Sequence, residues 1–270
     1  FYERGQRVPL AGILGLEWFE RYAARIDYVK DNLTLTPLAK FAYRGVASHV
    51  PIRFQEDMPL ANAAADGNNG WFGVDTGNAG LLILYGDYLR RTGLLTKYAP
   101  GMTIRGEGTG GSNSGTIQTL SSFAIGGHDI GSLKTDFTQM KTGSFSSWTE
   151  AGDLGLTVLS HFTPTFDYAN ETLYLEPVAH PIEMPPNRSG MAFTKTQADV
   201  IDVTAVRPNS PATAAGIAAG DKITAINGKS AADFSNADWY ELVTGPAGSV
   251  VRLTVQRGTT TRDVTLTLHN

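Results

Sequence analysis

No cysteine occurs among the 270 residues, which excludes disulfides, thiolate zinc sites and a cysteine nucleophile together. Long apolar runs are missing as well. The longest, GLLILYG at 80–86, is much too short to span a bilayer, and no signal-like n-region and h-region opens the chain. Charge is sparse: 18% of residues are charged, the 22 Lys and Arg are scattered, and the net charge is −4, so no nucleic-acid partner is expected. The five histidines, at 49, 128, 161, 180 and 269, have no metal-ligand spacing, and neither a metal nor a cofactor is expected. No serine sits in a G-x-S-x-G elbow, which leaves a serine hydrolase unsupported.

What the chain does carry is strand signal. Short runs rich in Val, Ile, Thr and Phe recur between Gly, Asn and Asp, among them HVPIRF (49–54), GTIQTLSSFAI (115–125), TPTFDY (163–168) and VVRLTVQR (250–257). Helix signals are short: LEWFERYAARI (16–26), YGDYLRRTG (85–93), PATAAG (211–216) and FSNADWYELVT (234–244). The pattern predicts a mainly β protein. EPVAHPIEMPPNRSG (176–190), with four prolines and no periodicity, reads as a linker between two domains, each long enough to bury a core.

One stretch suggests chemistry. WFGVDTGNAGLLIL (71–84) reads as a strand delivering Asp75 into a tight turn made by Thr76 and Gly77. The tripeptide alone fits a surface Asx turn; a carboxylate set between two apolar runs instead asks for a reason to be there. Two carboxylates a few ångströms apart cannot both ionise, and such a pair can activate water while donating a proton to a carbonyl. A Thr hydroxyl can bond across a two-fold axis, and a glycine permits the close turn. Yet no second Asp-Thr-Gly exists in the chain.

An internal repeat bears on the missing partner. GILGLEWFERYAARIDYVKDNLTLTP (12–37) aligns without gaps to GDLGLTVLSHFTPTFDYANETLYLEP (152–177), matching Gly12 to Gly152, Leu14 to Leu154, Gly15 to Gly155, Leu16 to Leu156 and Asp27-Tyr28 to Asp167-Tyr168. Each copy predicts a Gly-bounded turn, a short helix, an Asp-Tyr turn and a final strand. Asp27 and Asp167 are expected to hydrogen-bond locally in those turns, and His161 to face solvent. The second copy closes the domain that Asp75 opens; the first should close an earlier one.

MTIRGEGTGGSNSGTIQTL (102–120) contains G-x-G-x-x-G at Gly106, Gly108 and Gly111. No helix pattern follows and no Lys-Ser/Thr pair ends it, so a nucleotide loop is rejected in favour of a mobile β-hairpin able to close over a peptide.

In order and spacing these elements resemble the retropepsin-like aspartic peptidases, particularly bacterial ones with two units in tandem. The resemblance covers about 38–178, with 1–37 similar to the tail of a preceding unit. It implies a closed β-barrel lobe in which Asp75 is catalytic, Thr76 and Gly77 support it, and a flap near 104–112 meets substrate through Arg105, Gly106, Gly108, Gly110 and Gly111. It also implies that Gly152, Leu154 and Gly155 pack behind the active-site loop. Asn78 stands where Ala or Ser is commoner in that family.

Residues 190–270, after a linker at 179–189, resemble the PDZ domains attached to bacterial proteases, on VIDVTAVRPNSPATAAGIAAGDKITAINGKS (200–230). Ser210 can cap a helix with Pro211 in its first turn, and Asn227-Gly228 signals a hairpin. The resemblance implies a small β-sandwich with two short helices that binds a C-terminal or extended peptide at Met191, Ala192 and Phe193, with Trp239 in the groove helix and Leu242 and Val243 beside it.

The expectation is an aspartic endopeptidase acting on protein or peptide substrates, with the PDZ domain recruiting them. A homodimer, or association with an N-terminal fragment, would supply the second aspartate; Phe1 is taken as a processed or truncated start. The alternative is an inactive protease-like scaffold that only binds peptides. A periplasmic or secreted location is expected, with cytoplasmic as the alternative.

Overall fold

A computed structural model describes residues 14–98, 102–108, 111–140, 142–197 and 200–270. The described residues form two compact units, one of residues 14–98 and 111–184, the other built on Pro185–Asn270 together with Met102–Gly108.

The first unit begins with α1 (Leu16–Phe19), β1 (Tyr22–Asp27) and β2 (Asn32–Pro37). The helix signal over 16–26 thus ends at Phe19; Glu20 and Arg21 turn, and strand runs from Tyr22. The cause is tertiary: β1 pairs with β2 on one side and with β11 (Phe162–Asp167) on the other, and those ladders outweigh a local helical period. β12 (Thr172–Pro177) follows β11 as β2 follows β1. In the β1–β11 ladder Arg25 stands opposite Thr165, its own counterpart in the repeat. The two copies are therefore related by a local two-fold axis between these strands.

Between the copies lie β3 (Ser48–Gln55), β4 (Met58–Ala65), β5 (Asn68–Val74), β6 (Leu82–Leu84), α2 (Gly86–Arg91), α3 (Leu94–Lys97), β8 (Gly111–Ile125), β9 (His128–Thr138) and β10 (Gly152–Leu154). β7 (Met102–Gly108) precedes β8. The sequential pairings β4–β5, β5–β10, β10–β6, β6–β9, β9–β8 and β8–β4 return to their starting strand, which closes a six-stranded barrel. Its interior is apolar, with Leu60, Phe72, Leu82, Leu84, Leu120, Phe123, Phe137 and Leu154 buried. Closure removes the unpaired edges an open sheet would present. Asp27 and Asp167 do make local bonds: Asp27 Oδ1 accepts from Lys30 N–H at 3.1 Å, and Asp167 Oδ2 accepts from Asn170 Nδ2 at 2.7 Å. His161 departs from expectation. It is half-buried after α4 (Leu156–Leu159), with its Nδ1 enclosed, and burial holds the ring below the usual histidine range.

The second unit contains β13 (Met191–Gln197), β14 (Val200–Val206), α5 (Pro211–Ala214), β15 (Lys222–Ile226), β16 (Lys229–Ser230), α6 (Asn236–Thr244), β17 (Val250–Arg257) and β18 (Thr260–Thr267). Its sheet runs β13-β14-β15-β17-β18, with β16 paired to β15. Ser210 caps α5 by accepting from Thr213 N–H at 3.3 Å, ahead of Pro211. Asn227 and Gly228 turn β15 into β16 with φ of 49° and 79°, the doubly left-handed turn their dipeptide signals. The α6 cap is a full box, Ser235 and Asp238 exchanging bonds.

Asp221, 1% exposed, accepts from Arg257 Nε at 2.6 Å and from its Nη2 at 2.7 Å. The Arg257 bonds hold this carboxyl below the usual range. A carboxylate of lowered pKa adds stability above about pH 4 and loses it as the pH falls through the depressed value. Arg257→Ala is therefore expected to lower the thermal midpoint of this unit at pH 7. The gap to the wild type should narrow in acid, which melts recorded from pH 7 down to pH 2 would check.

Candidate active site

Asp75 directly follows β5, and the barrel fixes it there. The parallel β5–β10 ladder sets Phe72 opposite Gly152, Gly73 opposite Asp153 and Val74 opposite Leu154; Asp75 N–H then donates to Leu154 O at 3.2 Å. The side chain closes its own turn, Oδ1 accepting Gly77 N–H at 2.7 Å, while Asn78 N–H donates to Asp75 O at 3.2 Å. Asp75 is half-exposed, and Thr76 and Gly77 face outward. A carboxylate held this way is oriented yet open to a reactant.

Asn78, the departure from the family pattern, ties the loop down. Its Oδ1 accepts Gly80 N–H at 2.8 Å, its Nδ2 donates to Leu81 O at 3.2 Å, and its carbonyl accepts Leu156 N–H at 2.8 Å. The loop is thus bound to the first turn of α4, as the resemblance implied for Leu154 and Gly155. A Cβ at Gly155 would lie 2.6 Å from the Asn78 amide, so the glycine and the asparagine fit each other.

The sequence reading missed the residue beside Asp75. Asp153 lies on β10, 5% exposed, with its carboxyl within bonding reach of the Asp75 carboxyl and the Asn78 amide. Its Oδ1 is fully enclosed without a hydrogen-bond partner. Burial holds this carboxyl well above the usual range; the Asp75 and Glu150 charges push the same way and outweigh the Asn78 bond. A signal existed. Asp153 aligns with Ile13, so the second copy puts an acid where the first keeps an apolar residue.

Two tyrosines complete the surroundings. Tyr85 is buried and, mainly for that reason, holds its proton far above the usual phenol range, with the charges of Asp153, Glu150 and Asp75 adding to the effect. Tyr28, in the Asp-Tyr turn of the first copy, is pushed up to about 12 by burial and then by the Asp75 charge. Glu150 accepts from Gln55 Nε2 at 2.9 Å, and Trp148 is exposed.

Thr76 also borders an open apolar concavity of about 270 Å³, whose other walls include Leu14, Trp18, Phe19, Tyr28, Leu33 and Leu35. Leu14, Trp18 and Leu33 are 52%, 42% and 44% exposed, whereas their repeat counterparts Leu154, Val158 and Leu173 are 0% exposed in the barrel core. The same apolar positions are therefore covered in one copy and open in the other.

Of the expected flap residues, Arg105, Gly106 and Gly108 fall on β7 and Gly111 begins β8. Gly110 lies outside the described residues, and so does the side chain of Arg105.

In the second unit β13 is the first strand of the sheet order, as a peptide-adding strand must be, and the loop before it turns at Gly190 with φ of 75°. Residues 203–257 match the PDZ domain family. The C-terminal unit is a PDZ domain. Within this PDZ domain Met191, Trp239 and Val243 are buried in the core. Ala192 and Phe193 are half-buried, and the Phe193 ring meets Trp239 edge-on with centroids 5.2 Å apart.

No curated protein matches the chain. Among solved structures, a retropepsin-like aspartic protease from Rickettsia conorii is similar at 21% identity and a TM-score of 0.35, over 50% of this chain and 96% of that one. A photosystem II D1 C-terminal processing protease is similar at 26% identity and a TM-score of 0.30, over 33% of this chain and 24% of that one. Both neighbours are proteases, though at such TM-scores neither likeness bears on the chemistry here. The chain is mainly β, with a closed barrel and a PDZ domain, as the sequence predicts. Among the described residues, no helix is long and apolar enough to cross a membrane.

Proposed function

We propose that the barrel is one lobe of an aspartic endopeptidase and that the PDZ domain recruits its polypeptide substrate. The observation that carries this reading is Asp75 itself: a half-exposed carboxylate at a barrel strand end, pinned by Gly77 N–H and braced by the second repeat copy. Asp75 takes a proton from water as the water oxygen bonds to the scissile carbonyl carbon. A facing aspartate protonates the carbonyl oxygen, and the C–N bond breaks as the nitrogen gains a proton. That second aspartate comes from upstream sequence, a retained fragment or a second copy of the chain. The open apolar face of Leu14, Trp18 and Leu33 supports such an arrangement, because a second barrel covering it would bury what the first barrel already buries in Leu154, Val158 and Leu173. The hairpin near 104–112 would close over the bound peptide, and an extended peptide would add to β13.

Incubation of the chain with an unfolded polypeptide, alone and with the upstream sequence supplied, tests this reading, with fragments followed by mass spectrometry. Pepstatin-sensitive cleavage that appears or rises when a second lobe is present is the expected result. The inactive scaffold is favoured by one observation, the single Asp-Thr-Gly. Peptide binding at the PDZ domain without cleavage in any combination would select it.

A further inference from the structure

Asp153 is the buried acid that the peptidase scheme leaves unused. It sits on β10 opposite Gly73, one residue before Leu154, whose carbonyl receives Asp75 N–H, so the two carboxyl groups are neighbours by strand register. Among the described residues, the titratable and polar groups facing it are Asp75 at the end of β5, Asn78 in the turn, Tyr85 after β6 and Glu150 ahead of β10. No cation is among them. An ionised carboxylate enclosed there, beside another and with Oδ1 unpartnered, would be very costly, whereas a neutral acid has a proton to donate.

We propose that Asp153 donates a hydrogen bond to the Asp75 carboxylate from within the barrel wall and so makes Asp75, rather than the aspartate facing it, the general base. This rests on the peptidase reading above. Two bonds, from Gly77 N–H and from Asp153, would hold the Asp75 carboxylate in one orientation. The first repeat copy has Ile13 at the matching position, which can donate nothing. A lobe closed by that copy would therefore present an aspartate lacking this donor, and the pair would be unequal from the start. Asp153 is a positioning residue: its 5% exposure keeps it from substrate, and it acts through Asp75.

The test is a titration of carboxyl carbons by NMR in the full chain labelled at aspartate Cγ, comparing wild type, Asp75→Asn and Asp153→Asn. The Asp153 resonance is identified by its loss in Asp153→Asn, or by sequential assignment if that variant does not fold. The expected result is a carboxyl that stays protonated well above the ordinary carboxylate range and moves down by about one pH unit or more in Asp75→Asn, as the like charge is removed. An Asp153 that titrates in the ordinary range, or one indifferent to Asp75→Asn, overturns the proposal. None of these readings needs turnover, so a chain that cleaves nothing can still carry the hydrogen bond, and a working peptidase can still lack it.

Discussion

Asp75→Asn is expected to lower kcat/KM for peptide cleavage on the order of 10³-fold or more, with the fold intact. The amide keeps the geometry. Its Oδ1 can still accept Gly77 N–H, the one side-chain bond that closes the turn, and the backbone bonds to Leu154 and Asn78 do not involve the side chain. What the amide lacks is a lone pair basic enough to take a proton from water, and that step cannot be handed to Asp153, which is buried and already protonated in this scheme. Steady-state cleavage of a fluorogenic peptide, alongside thermal melts of both proteins, separates the chemistry from folding. A variant as active as the wild type would remove Asp75 from the mechanism and, with it, the peptidase reading.

The barrel was legible because its strands announce themselves in β-branched runs and because the repeat shows where the domain closes. The PDZ domain was legible for a different reason: its caps and turns depend on Ser210-Pro211 and Asn227-Gly228, local chemistry that sequence displays directly. Residues 20–26 were misread because Tyr22–Asp27 takes its conformation from its ladders, with β2 just downstream and with β11 more than a hundred residues away. Met191 was expected in the peptide-binding loop and Trp239 in the groove helix; that both side chains are buried depends on packing that no spacing reveals. Asp153 was missed in a repeat alignment that paired it with Ile13. Where the two copies share their glycines, leucines and Asp-Tyr turn, the exchange of an apolar residue for an acid at that position is the signal the alignment offered.

Gly152→Ala is expected to destabilise the barrel by about 3 kcal/mol or more, a fall in its thermal midpoint of about 6–12 °C. Gly152 opens β10, with β5 on one side and β6 on the other. A Cβ there would lie 1.9 Å from the backbone oxygen of Ile83 and 3.2 Å from Leu84 Cα. Neither atom can swing away as a side chain would, so β6 must separate from β10 and break barrel closure. Gly73, across the β5–β10 ladder, provides the control: a Cβ there meets the flexible Met58 side chain at 3.4 Å and, at an ordinary contact distance, Gly152 O at 3.8 Å, and Gly73→Ala should cost less than about 1 kcal/mol. Calorimetry of the full chain can tell the variants apart by whether one transition shifts. Because β10 also carries Asp153 and holds Asp75 through Leu154, Gly152→Ala should reduce cleavage even below its melting temperature, whereas Gly73→Ala should leave cleavage nearly unchanged. Equal effects of the two substitutions would mean that β10 is not what holds Asp75 in place.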